Sequence, residues 1–299
     1  MDATQVEQVR SFNRAVTRRI GVLGDDYLGR GRPLAESRVL FEIGRAGADL
    51  RDLRVRLALD SGYLSRLLRA LEAQGLVQSR RADDDGRARR VTLTRKGLRE
   101  VDALDRRSQA FAASLLAPLG AVQRQRMIAA MAEVERCMRA AAVEIEPEDP
   151  AGVDARACVD AYFRELDARF EGGFDAGPEL EVAPYRPPAG TFLVARLDGE
   201  AVGCGALRTT ARGLGEIKRM WVAASARGLG IAQRMIDALE REAVRLGLRR
   251  LQLDTNHVLV EARALYLRNG YREIARYNDN PYADHFFEKK LARMHATRA

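Results

Sequence analysis

Cysteine, lysine and long apolar runs are all scarce in this chain of 299 residues. The three cysteines, Cys137, Cys158 and Cys204, are odd in number and widely spaced, so they form neither a disulfide framework nor a metal site and suit a reducing compartment. Three scattered histidines argue for no zinc site either. No window approaches the roughly 20 apolar residues that a membrane span needs. The most apolar stretch, Ala110 to Val122, is short and contains Pro118. The chain begins Met-Asp-Ala-Thr-Gln, without a basic then apolar leader, so a cytoplasmic protein with no membrane partner is expected. Lysine occurs only at Lys96, Lys218, Lys289 and Lys290, so the net charge of +8 is carried almost wholly by arginine. Such an excess is compatible with nucleic acid or a polyphosphate ligand, and also with genome composition; where the arginines fall matters more.

The length suits two domains of roughly 150 residues each. One composition break divides the chain. Residues 144–153 open Glu-Ile-Glu-Pro-Glu-Asp-Pro-Ala-Gly, acidic, with two prolines and no apolar period, and read as a linker between domains at 1–143 and 154–299. The first part reads as helical apart from a basic hairpin near 76–93; the second mixes strands and helices. In the second part Asp198-Gly199 separates two apolar runs, a strong local hairpin signal. Further strands are expected at Glu216 to Val222, Leu251 to Asp254, near Tyr271 to Tyr277 and at His285 to Leu291. Between them lie a long amphipathic helix from Gly230 to Leu246 and a shorter one from Glu261 to Asn269, ended by Gly270.

In the first part Leu50, Leu53 and Leu57 share one face of a short helix. A tight connection leads to a second helix capped by Asp60 or Ser61, with Leu64, Leu67, Leu68 and Leu71 turned inward. Its outward face carries Ser61, Tyr63, Ser65, Arg66 and Arg69, a set suited to the DNA major groove. Two apolar strands then flank a polar tip bearing Arg80, Arg81, Arg87, Arg89 and Arg90, suited to phosphate or minor-groove contact. Each feature taken alone also reads as a solvated loop or a packed helix pair.

Taken in order, Ser65-Arg66-Leu-Leu, Leu71-Glu72, Gly75-Leu76-Val77, Asp85-Gly-Arg87 and Leu93-Thr94 with Gly97 resemble the MarR family of winged-helix repressors over residues 5–143. The resemblance implies a mainly-α winged helix-turn-helix domain. It also implies a homodimer made by the first and last two helices, around Val6 to Leu23, Thr94 to Leu116 and Val122 to Ala142, and double-stranded DNA with a palindromic operator as partner. It assigns Arg87 to the minor groove, although a salt bridge to Asp85 is the other reading.

The sharpest chemical motif follows the strand ending at Val222. Arg227-Gly228-Leu229-Gly230-Ile231-Ala232 joins that strand to a long helix whose first N–H groups have no intrahelical partner. With the helix dipole they make a site for a pyrophosphate. Gly228 and Gly230 let the backbone approach the anion, Arg227 adds charge, and small Ala232 leaves room.

This loop, with Ala262-Arg-Ala-Leu265-Tyr266 and Gly270-Tyr271, resembles the GNAT acetyltransferase superfamily over roughly 154–292. The resemblance implies an α/β fold with a mixed, mostly antiparallel sheet, acetyl-CoA as co-substrate with no metal, and direct attack of an amine on the thioester. It places the cofactor against Met220, Trp221 and Val222, the loop from Arg227 to Ala232, and Tyr266. Tyr266 becomes the acid that protonates the departing thiolate, and is otherwise a core aromatic. Glu216 is the candidate base, and reads equally as an exposed strand carboxylate. Many members carry Asn where this chain has Leu259, so nearby Asn256 is assigned to the cofactor in its place. The acceptor is expected against Tyr162, Phe163, Glu165 and Phe170 on the domain's first helix and against Tyr282 and His285 near the last strands; for His285 a surface position is the other reading. A small amine, an amino-acid-like metabolite, an antibiotic amine and a protein lysine all remain open as acceptors. The two functional readings are a DNA-binding regulator fused to a working N-acetyltransferase, and a regulator whose second domain only senses acetyl-CoA or a small ligand.

Overall fold

The computed structural model describes residues 2–22, 24–81, 89–175 and 182–291. The chain divides into two compact units, Met1–Ala129 and Ala130–Ala299. Among the described residues no helix is long and apolar enough to cross a membrane.

The first unit opens with helix α1 (Ala3–Ile20), capped by the Asp2 carboxylate and ended by Gly21 at φ 72°. Then follow α2 (Leu34–Ile43), the two-residue strand β1 (Ala48–Asp49), α3 (Leu50–Arg56) and α4 (Ser61–Ala73). Strands β2 (Val77–Arg81) and β3 (Arg89–Leu93) form a hairpin, and β1 adds to it in the order β1-β3-β2. The Thr94 hydroxyl caps α5 (Arg95–Leu116) by accepting from the Gly97 N–H. One leucine-rich core joins Val39, Leu40 and Ile43 of α2, Leu53 of α3 and the α4 stripe Leu64, Leu67, Leu68 and Leu71 to Leu76, Val91 and Leu93 of the hairpin. This is the expected winged helix. Glu100 of α5 is buried and receives two hydrogen bonds from Arg30, at 2.8 and 2.5 Å, and Arg32 pairs with it at 3.0 Å, tying the segment before α2 to α5.

Helices α1 and α6 (Ala121–Ala142) have no buried residue. Val6, Val9 and Phe12 lie exposed on α1, and Val122, Ile128, Met131, Val134 and Met138 on α6.

The segment expected as a linker at 144–153 is folded. Val143 is buried, residues 144–147 form β4 (Glu144–Pro147), and β4 pairs antiparallel with the next strand. The Arg234 guanidinium caps the end of α6 by donating to the Ala140 and Val143 carbonyls at 2.7 and 2.5 Å. The two prolines suggested a spacer, but Pro147 ends an edge strand, where a missing N–H is tolerated.

The second unit continues with α7 (Val153–Arg169), β5 (Gly190–Leu197), β6 (Glu200–Ala211), β7 (Leu214–Val222) and α8 (Ile231–Arg245). It ends with β8 (Arg250–Thr255), α9 (Val260–Arg268), β9 (Arg272–Ile274) and β10 (His285–Lys290). The seven strands run β4-β5-β6-β7-β8-β10-β9, antiparallel throughout except for the parallel pair β7–β8. Asp198 and Gly199 turn the β5–β6 hairpin with φ 54° and 83°, both left-handed as a type I′ turn requires. Met235, Ile236, Leu239 and Ala243 bury the inner stripe of α8 against one face of the sheet, and Ala155, Cys158 and Val159 of α7 cover the other.

Two irregularities in β7 shape the site. It pairs with β8 only from Leu214 to Glu216, after which the two strands part. Opposite Gly205 it also carries an extra residue: Cys204 faces Trp221 while Ala206 faces Lys218, leaving Arg219 and Met220 against one partner. Arg219 takes φ 57°. Gly205 is required here, since a Cβ would stand 2.9 Å from Met235 and 3.0 Å from Met220.

Candidate functional site

The parting of β7 from β8 leaves the backbone of β7 beyond Ile217 paired on its β6 side alone among the described residues. An unpaired strand edge offers amide donors and acceptors to an extended ligand. Beyond Val222 the chain makes one short turn and enters α8 through Gly228 and Gly230, at φ 81° and 73°, where a Cβ would meet nothing within 4 Å. Gly230 is the N-cap and supplies no side-chain acceptor, so the first N–H groups of α8 are left open. Open amides at the positive end of a helix suit an anion. The donor set thus fits an acyl thioester carried on an amide-bearing arm with a pyrophosphate beyond it.

Two cavities meet at this place. The first, about 220 Å³, is lined by Met220, Trp221, Val222, Arg227, Ala232 and Tyr266 among others. These are six of the residues expected to hold the cofactor. Leu229 and Ile231 are buried in the core instead and contribute backbone only. Asn256 is not in this cavity: it lines the second one, and its amide donates to the Tyr282 carbonyl while its oxygen accepts from the Val258 N–H. Its reach is taken up by the turn that opens α9, so its assignment to the cofactor is corrected.

The sequence also missed what Arg227 does here. Its guanidinium lies 2.6 Å from both oxygens of Glu165, which also accepts from the Trp221 indole at 2.9 Å. Burial alone would raise the Glu165 carboxyl, but the hydrogen bonds from Arg227 and Trp221 hold it below the usual range. Glu165 therefore belongs to the cofactor cavity, not to the acceptor wall.

The second cavity, about 450 Å³, is lined by Tyr162, Phe163, Phe170, Phe174, Tyr185 and Tyr282 on its aromatic side and by Arg208, Lys218, Arg219 and Asp254 on its polar side. Tyr162, Phe163 and Tyr282 stand where expected. His285 does not: it sits on β10 with Nδ1 2.6 Å from Glu273, outside both cavities. Alternation along β10 puts His285 on the same side as Phe287, which packs in the core with α8, and Phe286 on the other.

Tyr266 and Tyr162 line both cavities and so stand at their junction. Burial pushes both phenols above their ordinary range, with the Asp254 carboxylate adding for Tyr266 and Tyr266 adding for Tyr162. Both are therefore protonated near neutrality.

Glu216 is the clearest departure. It is 1% exposed and lines neither cavity. Its oxygens are engaged by Arg208 at 2.6 Å, Lys218 at 3.1 Å, the Tyr277 hydroxyl at 2.9 Å and Asn278 at 3.3 Å. With every lone pair directed at a donor, it holds the polar floor together and is not placed to take a substrate proton. The carboxylates that do line the second cavity are Asp175 and Asp254, the latter 2.7 Å from Lys218 and 2.6 Å from Asn278. A strand ending in Leu-Asp-Thr gave no signal to single it out.

In the first unit the Asp60 carboxylate caps α4 by accepting from the Tyr63 N–H at 2.8 Å. Ser61, Ser65, Arg66 and Arg69 are exposed on α4, and Arg66 stacks on the half-buried Tyr63 ring at 5.5 Å. Ser65 is turned back to the Ser61 carbonyl at 2.7 Å, and the Arg69 Nε to the Ser65 carbonyl at 3.3 Å. In the hairpin Arg80 lies opposite Arg90 and Arg81 opposite Arg89. Arg90 is drawn back to the Ala46 carbonyl at 3.0 Å, whereas Arg80 and Arg89 are exposed. Arg87 and the side chain of Arg81 lie outside the described residues.

A parted strand followed by an anion-receiving helix start is the arrangement of an acyltransferase that takes its acyl group from coenzyme A. Residues 159–271 match the acetyltransferase (GNAT) family and residues 30–88 the MarR family. An IAA acetyltransferase of Azospirillum brasilense is 40% identical over 95 residues, 31% of this chain and 62% of that protein, so the chain spans less than two thirds of that relative. An uncharacterised N-acetyltransferase of Schizosaccharomyces pombe is 32% identical over 134 residues, 43% of this chain and 80% of the other. An uncharacterised HTH-type transcriptional regulator of Bacillus subtilis is 30% identical over 83 residues, 28% of this chain and 51% of the other. The chain belongs to the GNAT acetyltransferase family and carries a MarR-family region ahead of that domain.

Proposed function

We propose that the protein is a DNA-binding regulator fused to a working N-acetyltransferase, in which an amine in the aromatic cavity is acetylated across the junction marked by Tyr266. The observation that carries this reading is that Tyr266, the more deeply buried of the two protonated phenols common to both cavities, borders the cofactor cavity and the acceptor cavity alike. Acetyl-CoA supplies the acetyl group as a thioester. Met220, Trp221 and Val222 would hold its arm along the open edge of β7, and the loop from Arg227 to Ala232 would receive its pyrophosphate. Tyr266 then donates its proton to the leaving thiolate, and Asp254, in place of Glu216, receives the proton given up by the amine.

The DNA reading is supported by the hairpin. Like charges directly opposite across strands repel, so Arg80 facing Arg90 favours a polyanion over an empty hairpin. The exposed apolar residues of α1 and α6 support a homodimer through the N-terminal unit, and with it a palindromic site. A protein that uses both ligands would belong in the cytoplasm.

The test is coenzyme A thiol release from acetyl-CoA with a panel of amines, run beside calorimetric binding of acetyl-CoA. Turnover abolished in Tyr266→Phe supports the enzyme. Tight acetyl-CoA binding without turnover on any amine would leave the sensor reading in its place.

A further inference from the structure

We infer that Arg219 reads a carboxylate on the acetyl acceptor, which makes the acceptor an amino-acid-like amine with an apolar or aromatic body. This deepens the proposal that the second cavity takes the acceptor, and rests on it.

In a regular strand Lys218 and Arg219 would point to opposite faces. The extra residue in β7 changes that: Ile217 and Met220, three positions apart, both pack into the core with α8, while Arg219 lies over Phe163 of α7 and Lys218 pairs with Asp254, all four bordering the second cavity. Arg219 is also the only non-glycine strand residue in the described sheet with a left-handed backbone. Such a conformation is disfavoured for a residue with a Cβ and persists where the surroundings enforce it.

The enforced side chain is unpaired. Its guanidinium lies over the rings of Phe163 and Tyr185, at 5.4 and 5.2 Å, and its Nε is buried with no hydrogen-bond partner among the described residues. The other cations of the cavity are each paired with a carboxylate. Arg208 pairs with Glu216 at 2.6 Å, and Lys218 bridges Glu216 and Asp254 at 3.1 and 2.7 Å. Asp175 stands exposed at the rim. A guanidinium set against two rings, with its Nε unpartnered, is a receptor for a planar anion. Around it Phe163, Phe170, Phe174 and Tyr282 stack at centroid distances of 4.8 to 5.9 Å and offer an apolar wall. A polycationic acceptor would instead meet Arg219 as a like charge.

The experiment is calorimetry on the full chain with products of the reaction, so that it does not depend on turnover. The probes are N-acetyl derivatives of phenylalanine, leucine and glutamate, each as free acid and as amide. At least one free acid is expected to bind about tenfold to hundredfold tighter than its amide. Arg219→Met should abolish that ratio and Arg219→Lys should restore part of it, with melting curves showing both variants folded. Wild-type protein that binds no acid better than its amide, or an Arg219→Met protein that keeps the ratio, overturns the inference. Acetyl-CoA titrated in parallel reports on the cofactor cavity alone. Failure there counts against the proposed activity, not against Arg219.

Discussion

Arg227 and Glu165 face each other across the cofactor cavity, the guanidinium 2.6 Å from both carboxylate oxygens. The arginine that the loop provides for a pyrophosphate is thus already matched by an anion from α7. Binding of acetyl-CoA must draw Arg227 away from that partner or place a second anion beside it. Arg227→Ala should therefore weaken acetyl-CoA binding by about 1.5–3 kcal/mol, the worth of a hydrogen bond to a charged group. Glu165→Gln should tighten it, because the competing charge is gone. A calorimetric titration in which both variants weakened binding equally would show that Glu165 serves the ligand and does not compete with it.

Two phenols stand at the junction of the cavities, and they are separable. Tyr266→Phe should lower turnover by about 10²–10⁴-fold, the usual range for a lost general acid, while acetyl-CoA affinity changes little. Tyr162→Phe should act mainly on KM for the acceptor. Steady-state rates for the two variants with one amine decide it, and equal losses of turnover would reverse or share the roles.

The hairpin arginines make a prediction of opposite signs. Arg80 faces Arg90 across the strands, so Arg80→Ala removes a like-charge pair and should leave thermal stability unchanged or slightly raised. The same change should weaken duplex binding and reduce the slope of log affinity against log salt by about 1. Fluorescence anisotropy at several salt concentrations measures both terms. A variant that is destabilised but binds DNA as before would mark the hairpin as structural only. Arg66→Ala and Arg87→Ala, tested together, should likewise weaken binding.

Stability of the first unit should depend on pH through Glu100. The hydrogen bonds from Arg30 hold its carboxyl below the ordinary range despite burial, and Arg32 adds to the effect. A carboxyl with a depressed folded-state pKa contributes stability that is fully present above its unfolded value, near 4.3, and is lost as pH falls through the folded value. Glu100→Gln should cost about 3–5 kcal/mol at neutral pH, as expected for removing one partner of a buried pair. Wild type and variant should converge below the usual carboxylate range. Urea unfolding at pH 7 and pH 3 checks both, and a difference that persisted at low pH would assign the loss to packing.

Most of the architecture was legible because local chemistry and packing agreed. The leucine stripe of α4, the Asp-Gly turn of β5–β6 and the glycine loop before α8 each announce one structure, and that structure formed. Residues 144–147 misled because their acidity and prolines describe a spacer, while the pairing that makes them a strand comes from β5, nearly fifty residues away. Glu216 misled for a related reason: strand position places a carboxylate on a face, but only the fold brings Arg208, Tyr277 and Asn278 against it. Arg219 left no trace in the pattern, because an extra residue in a strand breaks the alternation on which such readings depend.

That extra residue stands where two recognition tasks meet on one strand. Trp221 and Val222, which border the cofactor cavity, follow Lys218 and Arg219, which border the acceptor cavity, on the same strand. Deleting Arg219 or Met220 would leave one residue opposite Gly205 and a regular strand, with Trp221 and Val222 still opposite Cys204 and Gly203, and either deletion would take the arginine from its aromatic cradle. The acceptor range of this protein can therefore drift by substitution at Arg219 and the surrounding rings. Loss of the one extra residue would remove the arginine from its place and leave the cofactor edge in register.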